Sequence, residues 1–260
     1  MAVLDDLLRH EEQFTRQALD MIAEDRPLVE ECVGLAFLAL QGTQPIQHAA
    51  YTSISRLFTD ACVGVEQTFM STLRAQPRLG WAALRFAAEC LKDMDCIFRR
   101  PALEQAWFAV LKASPDEYKA AHTRFVDERK LVVPNEVTRV CSLTMTLGNV
   151  FGAHPNASAF GLLGSPSAPE PGYLRLPLRA TSPETIRWHI RHQLLHAYHI
   201  TVTLADFRVA HLSGEAKQAL AEKRRVFDQH MVPFVRANVR PPGASRDGSA
   251  GGSASGGAAC

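Results

Sequence analysis

Apolar residues recur along most of this chain with the spacing of amphipathic α-helices. The first such segment, residues 3–24, is rich in acidic positions, and its apolar residues are Leu4, Leu7, Leu8, Phe14, Leu19 and Ile22. The segments 28–40, 46–73 and 77–98 repeat the pattern. Side chains three and four residues apart share one face of a helix, so each segment is predicted to be helical and to bury that face.

Prolines and capping residues predict where the helices begin. Proline fits the first helical turn, where a backbone N–H would have no acceptor within the helix. Three prolines occupy such positions: Pro27, Pro77 and Pro101. Ser114 and Glu117 have the spacing of a capping box, which predicts a further helix start. Further helices are predicted over 102–111, from 134 to between 148 and 152, over 182–212 and over 213–238. The sequence therefore predicts an all-α, two-layered bundle of about eight or nine helices.

One long Pro-rich loop interrupts the helical pattern. Residues 154–181 contain five prolines, and 173–176 within them are a candidate short strand. We expect residues 1–240 to form one helical domain. The alternative is a pair of halves, 1–153 and 182–240, joined by this loop. Residues 241–260 are mostly Gly, Ser and Ala, and they are predicted to be a disordered tail because they can bury little apolar surface.

The composition and the first residues predict where in the cell the protein is located. No apolar run approaches the roughly 18–20 residues of a membrane span, and Asp5 and Asp6 lie where a signal peptide would be basic. We therefore expect a cytoplasmic protein with no membrane partner. The cysteines include no C-x-x-C pair and are Cys32, Cys62, Cys90, Cys96, Cys141 and Cys260. They predict reduced thiols, with no disulfide-linked partner and no zinc knuckle.

Charge is distributed unevenly, although the net charge is only +1. Residues 1–30 hold eight acidic side chains against three arginines. Residues 175–240 hold eleven Lys and Arg against five acidic side chains, together with six of the ten histidines. A basic half of this kind is typical of RNA-binding proteins. The alternative, which we favour, is a solvated surface that faces the acidic half of the same chain.

Three motifs give the chain a family resemblance. They are Leu84-Arg85-Phe86-Ala87-Ala88-Glu89, the segment Phe98 to Leu103 with Trp107 after it, and His154-Pro155. Over residues 50–160 the chain resembles uncharacterised bacterial helical proteins with an R-x-x-x-E helix, a Pro-started Trp helix and a His-Pro turn, a group similar in outline to HEPN-type bundles. The chain departs from the pattern at Asn149-Val150, where those proteins have Leu-Ser. The resemblance implies a helical bundle and leaves the activity open.

Arg85 and Glu89 are four residues apart and can form an ion pair on one helix face. We favour a structural role for this pair. The alternative is a polar ligand-binding site formed by Arg85, Glu89 and His154, because a buried ion pair can also hold a ligand.

The segment 187–199 contains four histidines on one side of a predicted helix. At about 100° per residue, His189, His192, His196 and His199 fall within about 80° of arc. A separate arc of similar width holds the predicted core residues Ile186, Ile190, Leu194 and Ala197. Arg187 and Arg191 lie together on a third side.

Metal binding is one interpretation of this stripe. His192 and His196 are four residues apart and can chelate one ion such as Zn²⁺. A third ligand would come from His189, His199, Asp206 or His154. No Glu follows His192, so the zinc-protease pattern is absent.

RNA cleavage is a second interpretation, and the third is a polar helix surface without chemistry. Arg191 and His196 have the R-x4-H spacing of HEPN ribonucleases, and Arg187 and His192 repeat it. In such enzymes the His is the general acid or base for attack by a 2′-hydroxyl, and the Arg holds the phosphate. Five residues correspond to about 140° of rotation, so Arg191 and His196 converge only at a helix end or across a dimer interface.

These patterns lead to one functional prediction with two alternatives. The prediction is a HEPN-like, metal-independent ribonuclease or RNA-binding component of a toxin or defence system, with Arg191, His192 and His196 as catalytic residues and a homodimer as its assembly. The alternatives are a non-catalytic protein-interaction bundle and a metal-binding bundle. No Gly-rich phosphate loop occurs, and no cofactor is predicted.

Overall fold

The computed structural model of the chain describes residues 2–41, 44–74, 76–153 and 183–238. Within these ranges the fold is all-α, as predicted, with nine α-helices packed together and no strand. The helices are α1 (Ala2–Met21), α2 (Arg26–Leu40), α3 (Tyr51–Leu73), α4 (Pro77–Arg99), α5 (Leu103–Lys112), α6 (Pro115–Lys130), α7 (Glu136–Gly148), α8 (Pro183–Ala210) and α9 (Gly214–Asn238), with a π-helix (Asn149–Ala153) directly after α7. The predicted loop 154–181, the candidate strand 173–176, the tail 241–260 and His154 lie outside the described residues.

Helices α3 and α7 begin later than predicted, because side-chain hydrogen bonds fix the residues just before them outside the helix. α3 begins at Tyr51 and not at residue 46. The His48 ring accepts the N–H of Ala50 on Nδ1 (3.0 Å) and donates from Nε2 to the Phe98 carbonyl oxygen (3.0 Å), which holds a turn there. α7 begins after Asn135, whose side-chain oxygen accepts the Thr138 N–H at 2.9 Å. This bond satisfies an N–H that the helix itself leaves unpaired.

The core is built around the neighbouring helices α3 and α4, with α8 packed across both and against α2. Gly64 allows α3 to approach α4 closely, since a Cβ there would lie 2.9 Å from the Ala87 Cβ atom. The predicted core residues of α8 are all buried, at 4% exposure for Ile186 and 0% for Ile190, Leu194 and Ala197. The separation of an apolar arc from the histidine arc is therefore confirmed.

A buried polar contact sets the position of α8 against α3 and α4. The Thr72 hydroxyl donates to the Gln193 side-chain oxygen at 2.8 Å, and both residues are fully buried. Gly80 leaves the space for this contact, because a Cβ on it would lie 2.2 Å from Thr72 Oγ1. Buried polar atoms are costly unless they are paired, so this bond favours one placement of α8.

Helices α5 and α6 pack on each other and are connected to α4 through an ion pair. Arg129 on α6 donates to the carboxylate of Asp93 on α4, and both side chains are largely buried. The predicted capping box at the start of α6 is present, since Glu117 accepts hydrogen bonds from the Ser114 N–H (3.1 Å) and hydroxyl (2.7 Å).

The cysteines within the described ranges are buried, unpaired thiols, as predicted: Cys32, Cys62, Cys90, Cys96 and Cys141. Burial raises the pKa of the Cys32 thiol to about 12, so it stays protonated at neutral pH. No helix among the described residues is long and apolar enough to cross a membrane.

Candidate functional site

Side chains from α4, α7, the π-helix and α8 meet at the predicted histidine stripe. We call this group the His–Trp cluster, and its members are Trp81, Thr144, Phe151, Trp188, His189, His192 and His196. The stripe runs from the core to the surface, since His189 is 3% exposed and His199 is exposed. The four histidines therefore lie in different environments although they share one side of the helix.

His189 is the innermost histidine and is bonded to Trp81 of α4. The Trp81 Nε1–H donates to His189 Nδ1 at 2.9 Å, and Trp81 is fully buried. An indole N–H can only donate, so Nδ1 must act as acceptor and the neutral ring carries its proton on Nε2. This contact ties α8 to α4 in the interior.

His196 contacts the ring of Trp81 and faces α7. A hydrogen bond joins His196 Nδ1 and the buried Thr144 hydroxyl at 3.2 Å. The edge of the imidazole meets the Trp81 indole, with 6.2 Å between ring centroids. Burial, with smaller contributions from His199 and His192, lowers the pKa of His196 to about 4. The imidazole is therefore neutral at pH 7.

His192 is held by its own helix. Its ring stacks on the Trp188 indole with 3.9 Å between centroids, and its Nδ1 lies 2.8 Å from the Trp188 carbonyl oxygen. A carbonyl oxygen only accepts, so Nδ1 carries the proton and Nε2 keeps the lone pair in the neutral ring. Phe151 of the π-helix packs on the same indole with 5.8 Å between centroids.

Two arginines of α4, Arg78 and Arg85, lie about one helical turn before and after Trp81. A Cβ at Gly148 would lie 2.5 Å from the Arg85 Cβ atom, and one at Gly152 would lie 3.0 Å from the Arg78 carbonyl oxygen, so α7 and the π-helix run against these two turns of α4. The Arg85 Nη2 atom is 3.5 Å from Glu89 Oε2, and about a third of each side chain is exposed, at 33% and 29%. The Nε atoms of Arg78 and Arg85 are buried and have no hydrogen-bond partner among the described residues. The predicted ion pair forms, and it lies next to the His–Trp cluster.

The arginines of the R-x4-H pattern contact a different part of the fold. Arg191 Nε donates to Asp25 Oδ2 at 2.8 Å, and Asp25 is only 3% exposed. Arg187 donates from Nε (3.2 Å) and Nη2 (2.8 Å) to the Met21 carbonyl oxygen. Both guanidinium groups therefore bind the connection between α1 and α2, whereas His196 faces α7. Within one chain, the structure does not bring Arg191 and His196 to a common point.

The proposed third metal ligands are also dispersed. Asp206 pairs with Arg224 of α9 at 2.9 Å, and His189 is bonded to Trp81. Among the described residues, no three His, Cys, Asp or Glu side chains lie close enough together to hold a metal ion. His192 and His196 remain as two candidate ligands one turn apart on α8.

Several members of the cluster were not identified from the sequence. Trp188 could have been identified from the sequence, because it lies four residues before His192 and must share its helix face. Trp81, Thr144 and Phe151 come from other helices, and Trp81 precedes His189 by 108 residues. No local spacing indicates such a contact.

Comparisons with known proteins identified no relative of this chain. No protein-family model, no curated protein and no solved structure matches the chain. The resemblance to HEPN-like bundles therefore stays a prediction, and the function is argued from the site.

Proposed function

We propose that the chain binds RNA at the His–Trp cluster and cleaves it with His196 as the proton acceptor. The observation that carries this proposal is the state of His196: a neutral imidazole whose Nδ1 is bonded to Thr144, so that the lone pair falls on Nε2 when Nδ1 is the donor. The Nε2 atom has no hydrogen bond among the described residues. A fixed, neutral imidazole of this kind is ready to take a proton from a bound hydroxyl.

The proposed reaction is transfer of the phosphodiester to the neighbouring 2′-oxygen. The 2′-hydroxyl gives its proton to His196 Nε2 while its oxygen bonds to phosphorus. The bond from phosphorus to the 5′-oxygen breaks, and that oxygen takes a proton from water. The hydroxide left behind takes the proton from His196, which returns the imidazole to its neutral form. The products are a 2′,3′-cyclic phosphate and a 5′-hydroxyl end. A pKa near 4 makes free His196 a weak base, and the negative phosphate of a bound RNA raises it towards neutrality.

Arg85 is assigned to the phosphate in this proposal. It lies one helical turn beyond Trp81 on α4, next to the cluster, and its Nε atom is buried without a partner among the described residues. Arg191 is the less suitable candidate because the buried Asp25 carboxylate holds its guanidinium at 2.8 Å, whereas Arg85 pairs at 3.5 Å with Glu89, whose side chain is 29% exposed. A guanidinium binds phosphate oxygens through paired N–H groups, which a lysine cannot reproduce.

The test uses the purified full chain, a single-stranded RNA probe and buffer containing EDTA. Cleavage with a 2′,3′-cyclic phosphate product is expected, and His196→Gln and Arg85→Met are each expected to slow it by about 100-fold or more. The matched controls are His122→Gln and Arg124→Met on α6, a helix that contributes no side chain to the cluster, and they should keep the wild-type rate. Absence of cleavage by the wild-type chain, or an unchanged rate in His196→Gln, would refute the proposal.

Arg191→Gln separates this proposal from the R-x4-H prediction. If Arg191 only binds Asp25, the variant melts at a lower temperature and keeps its cleavage rate below that temperature. If Arg191 acts on the phosphate, the rate falls even where circular dichroism shows the helices to be intact.

One observation favours metal binding as a second candidate function. The Nδ1 atom of His192 is bonded to a carbonyl oxygen and that of His196 to a hydroxyl, and such bonds orient the other ring nitrogen as a metal ligand. Titration with Zn²⁺ would then show one bound ion in the wild-type chain and none in the double variant His192→Ala, His196→Ala. Cleavage that requires added metal would favour this candidate over a metal-independent reaction. If neither cleavage nor metal binding occurs, the protein-interaction alternative is left.

A further inference from the structure

An open groove lies between α2 and α9 and shares no residue with the His–Trp cluster. Its volume is about 460 Å³, which is within the range of about 300–1,000 Å³ of pockets that hold small ligands. The α2 side of the groove extends from Pro27 to Gln41, and the α9 side extends from Lys223 to Phe227. The groove therefore has room for a small ligand, and its binding does not depend on the proposed RNA cleavage.

The lining of the groove is largely apolar. Leu35 of α2 and Phe227 of α9 line it from the core, since they are only 3% and 1% exposed. Leu38 and Val226 are half-buried, and the aromatic ring of Phe37 is 42% exposed. Covering apolar surface that water still reaches is favourable, so these side chains can stabilise the apolar part of a ligand.

Gly34 lies midway along the α2 side and leaves the groove open there. A Cβ on Gly34 would meet no atom within 4 Å, so the packing of α2 does not require a glycine at this position. Glycine is also one of the least favourable residues inside a helix. What Gly34 provides is space, because a large side chain here would extend into the groove, whereas glycine lets a ligand approach the α2 backbone.

The two helices that form the groove are antiparallel. Glu31, in the first half of α2, pairs with His230, in the second half of α9, at 2.8 Å. Gln44, just after α2, accepts the N–H of Ser213, just before α9, at 2.9 Å. Lys223 is seven residues before His230, so its backbone lies about 10 Å along the groove from Glu31, since a helix rises about 1.5 Å per residue.

The groove carries opposite charges towards its two ends. Glu30 and Glu31 line it near the start of α2, and Lys223 lines it nearer the end of α2. Glu30 pairs with Arg26 at 2.6 Å, but both side chains are more than half exposed, and such pairs are weak. A carboxylate that already accepts one hydrogen bond has lone pairs for a further donor. Lys223 has no hydrogen bond or ion pair among the described residues, so a ligand with an ammonium and a carboxylate end complements both charges.

We propose that this groove binds a short apolar peptide of about three residues, with its N-terminal ammonium at Glu30 and Glu31 and its C-terminal carboxylate at Lys223. Three extended residues span about 10 Å, because each adds about 3.3–3.6 Å, and this length matches the separation of the charges. The apolar side chains of the peptide cover the lining of the groove, and the middle residue lies against Gly34. Gly34 and Phe37 are exposed, so the outer side of the peptide backbone keeps its hydrogen bonds to water.

The experiment measures the binding of tri-leucine to the full chain by calorimetry and by thermal melting. We expect saturable binding of one peptide per chain and a rise in melting temperature. N-acetylated tri-leucine lacks the ammonium and tri-leucine amide lacks the carboxylate, and each should bind roughly three-fold more weakly, as the loss of an exposed charge pair predicts. An acetylated peptide that binds as tightly as the free one would overturn the proposal in favour of a simple carboxylate, and an equally tight amide would do so in favour of an amine.

Two variants test where the peptide binds. Gly34→Leu extends a side chain into the groove, so tri-leucine binding should be lost while the melting temperature of the free chain stays the same or rises. Lys223→Met should bind the free peptide and its amide equally, because no ammonium remains to distinguish them. The matched control is Lys217→Met, since Lys217 is an exposed lysine of α9 that does not line the groove, and it should keep the wild-type preference for the free carboxylate.

Three outcomes would overturn the proposal outright. They are no saturable binding of tri-leucine to the wild-type chain, undiminished binding in Gly34→Leu, and an unchanged preference for the free carboxylate in Lys223→Met. Lys223 is exposed, so Lys223→Met keeps the test decisive if Gly34→Leu does not fold. Self-association of the wild-type chain in sedimentation that Gly34→Leu abolishes would also count against the proposal, because the occupant of the groove would then be a second copy of the chain.

Discussion

Replacing Gly80 by alanine tests the close contact that positions α8. An added Cβ would lie 2.2 Å from Thr72 Oγ1, 2.6 Å from the Thr68 carbonyl oxygen and 2.8 Å from Gln193 Nε2. Thr72 can rotate away only by giving up its bond to Gln193, and the Thr68 carbonyl belongs to the α3 backbone. The substitution must therefore both overpack the contact between α3 and α4 and break the buried Thr72–Gln193 bond.

The expected loss follows from three contributions to the free energy of unfolding. Overpacking a core by one methyl group costs about 1–3 kcal/mol. Leaving Thr72 and Gln193 without their mutual bond costs about 1–3 kcal/mol more, because both are fully buried. Alanine is better than glycine inside a helix by about 1 kcal/mol, which offsets part of the loss. We expect Gly80→Ala to destabilise the chain by about 3 kcal/mol, or roughly 6–12 °C in melting temperature.

Urea unfolding followed by circular dichroism measures this difference, and Gly34→Ala is the matched control. Gly34 is also in a helix, but a Cβ there would meet no atom within 4 Å. The control should therefore leave stability unchanged or raise it by up to about 1 kcal/mol. A loss below about 1 kcal/mol for Gly80→Ala, or an equal loss in both variants, would show that the contact does not position α8 as argued.

Two further predictions concern buried charges. Since the pKa of His196 is about 4 in the folded chain and near 6.5 without burial, the unfolded state binds its proton first, and wild-type stability should fall from pH 6.5 towards pH 4. Urea unfolding of His196→Gln at pH 7 and pH 4.5 should show a smaller fall in stability, and equal falls in the two proteins would contradict the assignment. Asp93, whose pKa is raised to about 6 mainly by burial, adds stability as the pH falls, but it does so in both proteins and cancels from the comparison. Arg129→Met leaves Asp93 buried without its partner and should cost about 3 kcal/mol at pH 7. The cost should shrink at pH 5, where Asp93 takes up a proton, and a pH-independent loss would show that packing and not charge is responsible.

Features that depend on neighbours within one or two helical turns could be predicted from the sequence. The capping box of Ser114 and Glu117, the proline starts at Pro27 and Pro77, and the apolar arc of α8 were all predicted correctly. The capping box and the apolar arc involve residues three or four positions apart, and a proline start depends on that residue alone, so the geometry of a single helix decides each of them. The all-α class follows from the sum of these local patterns.

What each predicted site residue contacts depends on how the helices pack, which the sequence patterns do not specify. The sequence placed Arg191 and His196 on one helix, and only the packing assigns Arg191 to Asp25 at the α1–α2 connection and His196 to Thr144 on α7. Arg208, on the same helix, donates to the Gln44 carbonyl oxygen across 164 residues of the chain. A helix repeats every 3.6 residues and specifies which side chains share a face, but it carries no information on which other helix that face will meet. That choice depends on how all the apolar surfaces of the chain are buried together.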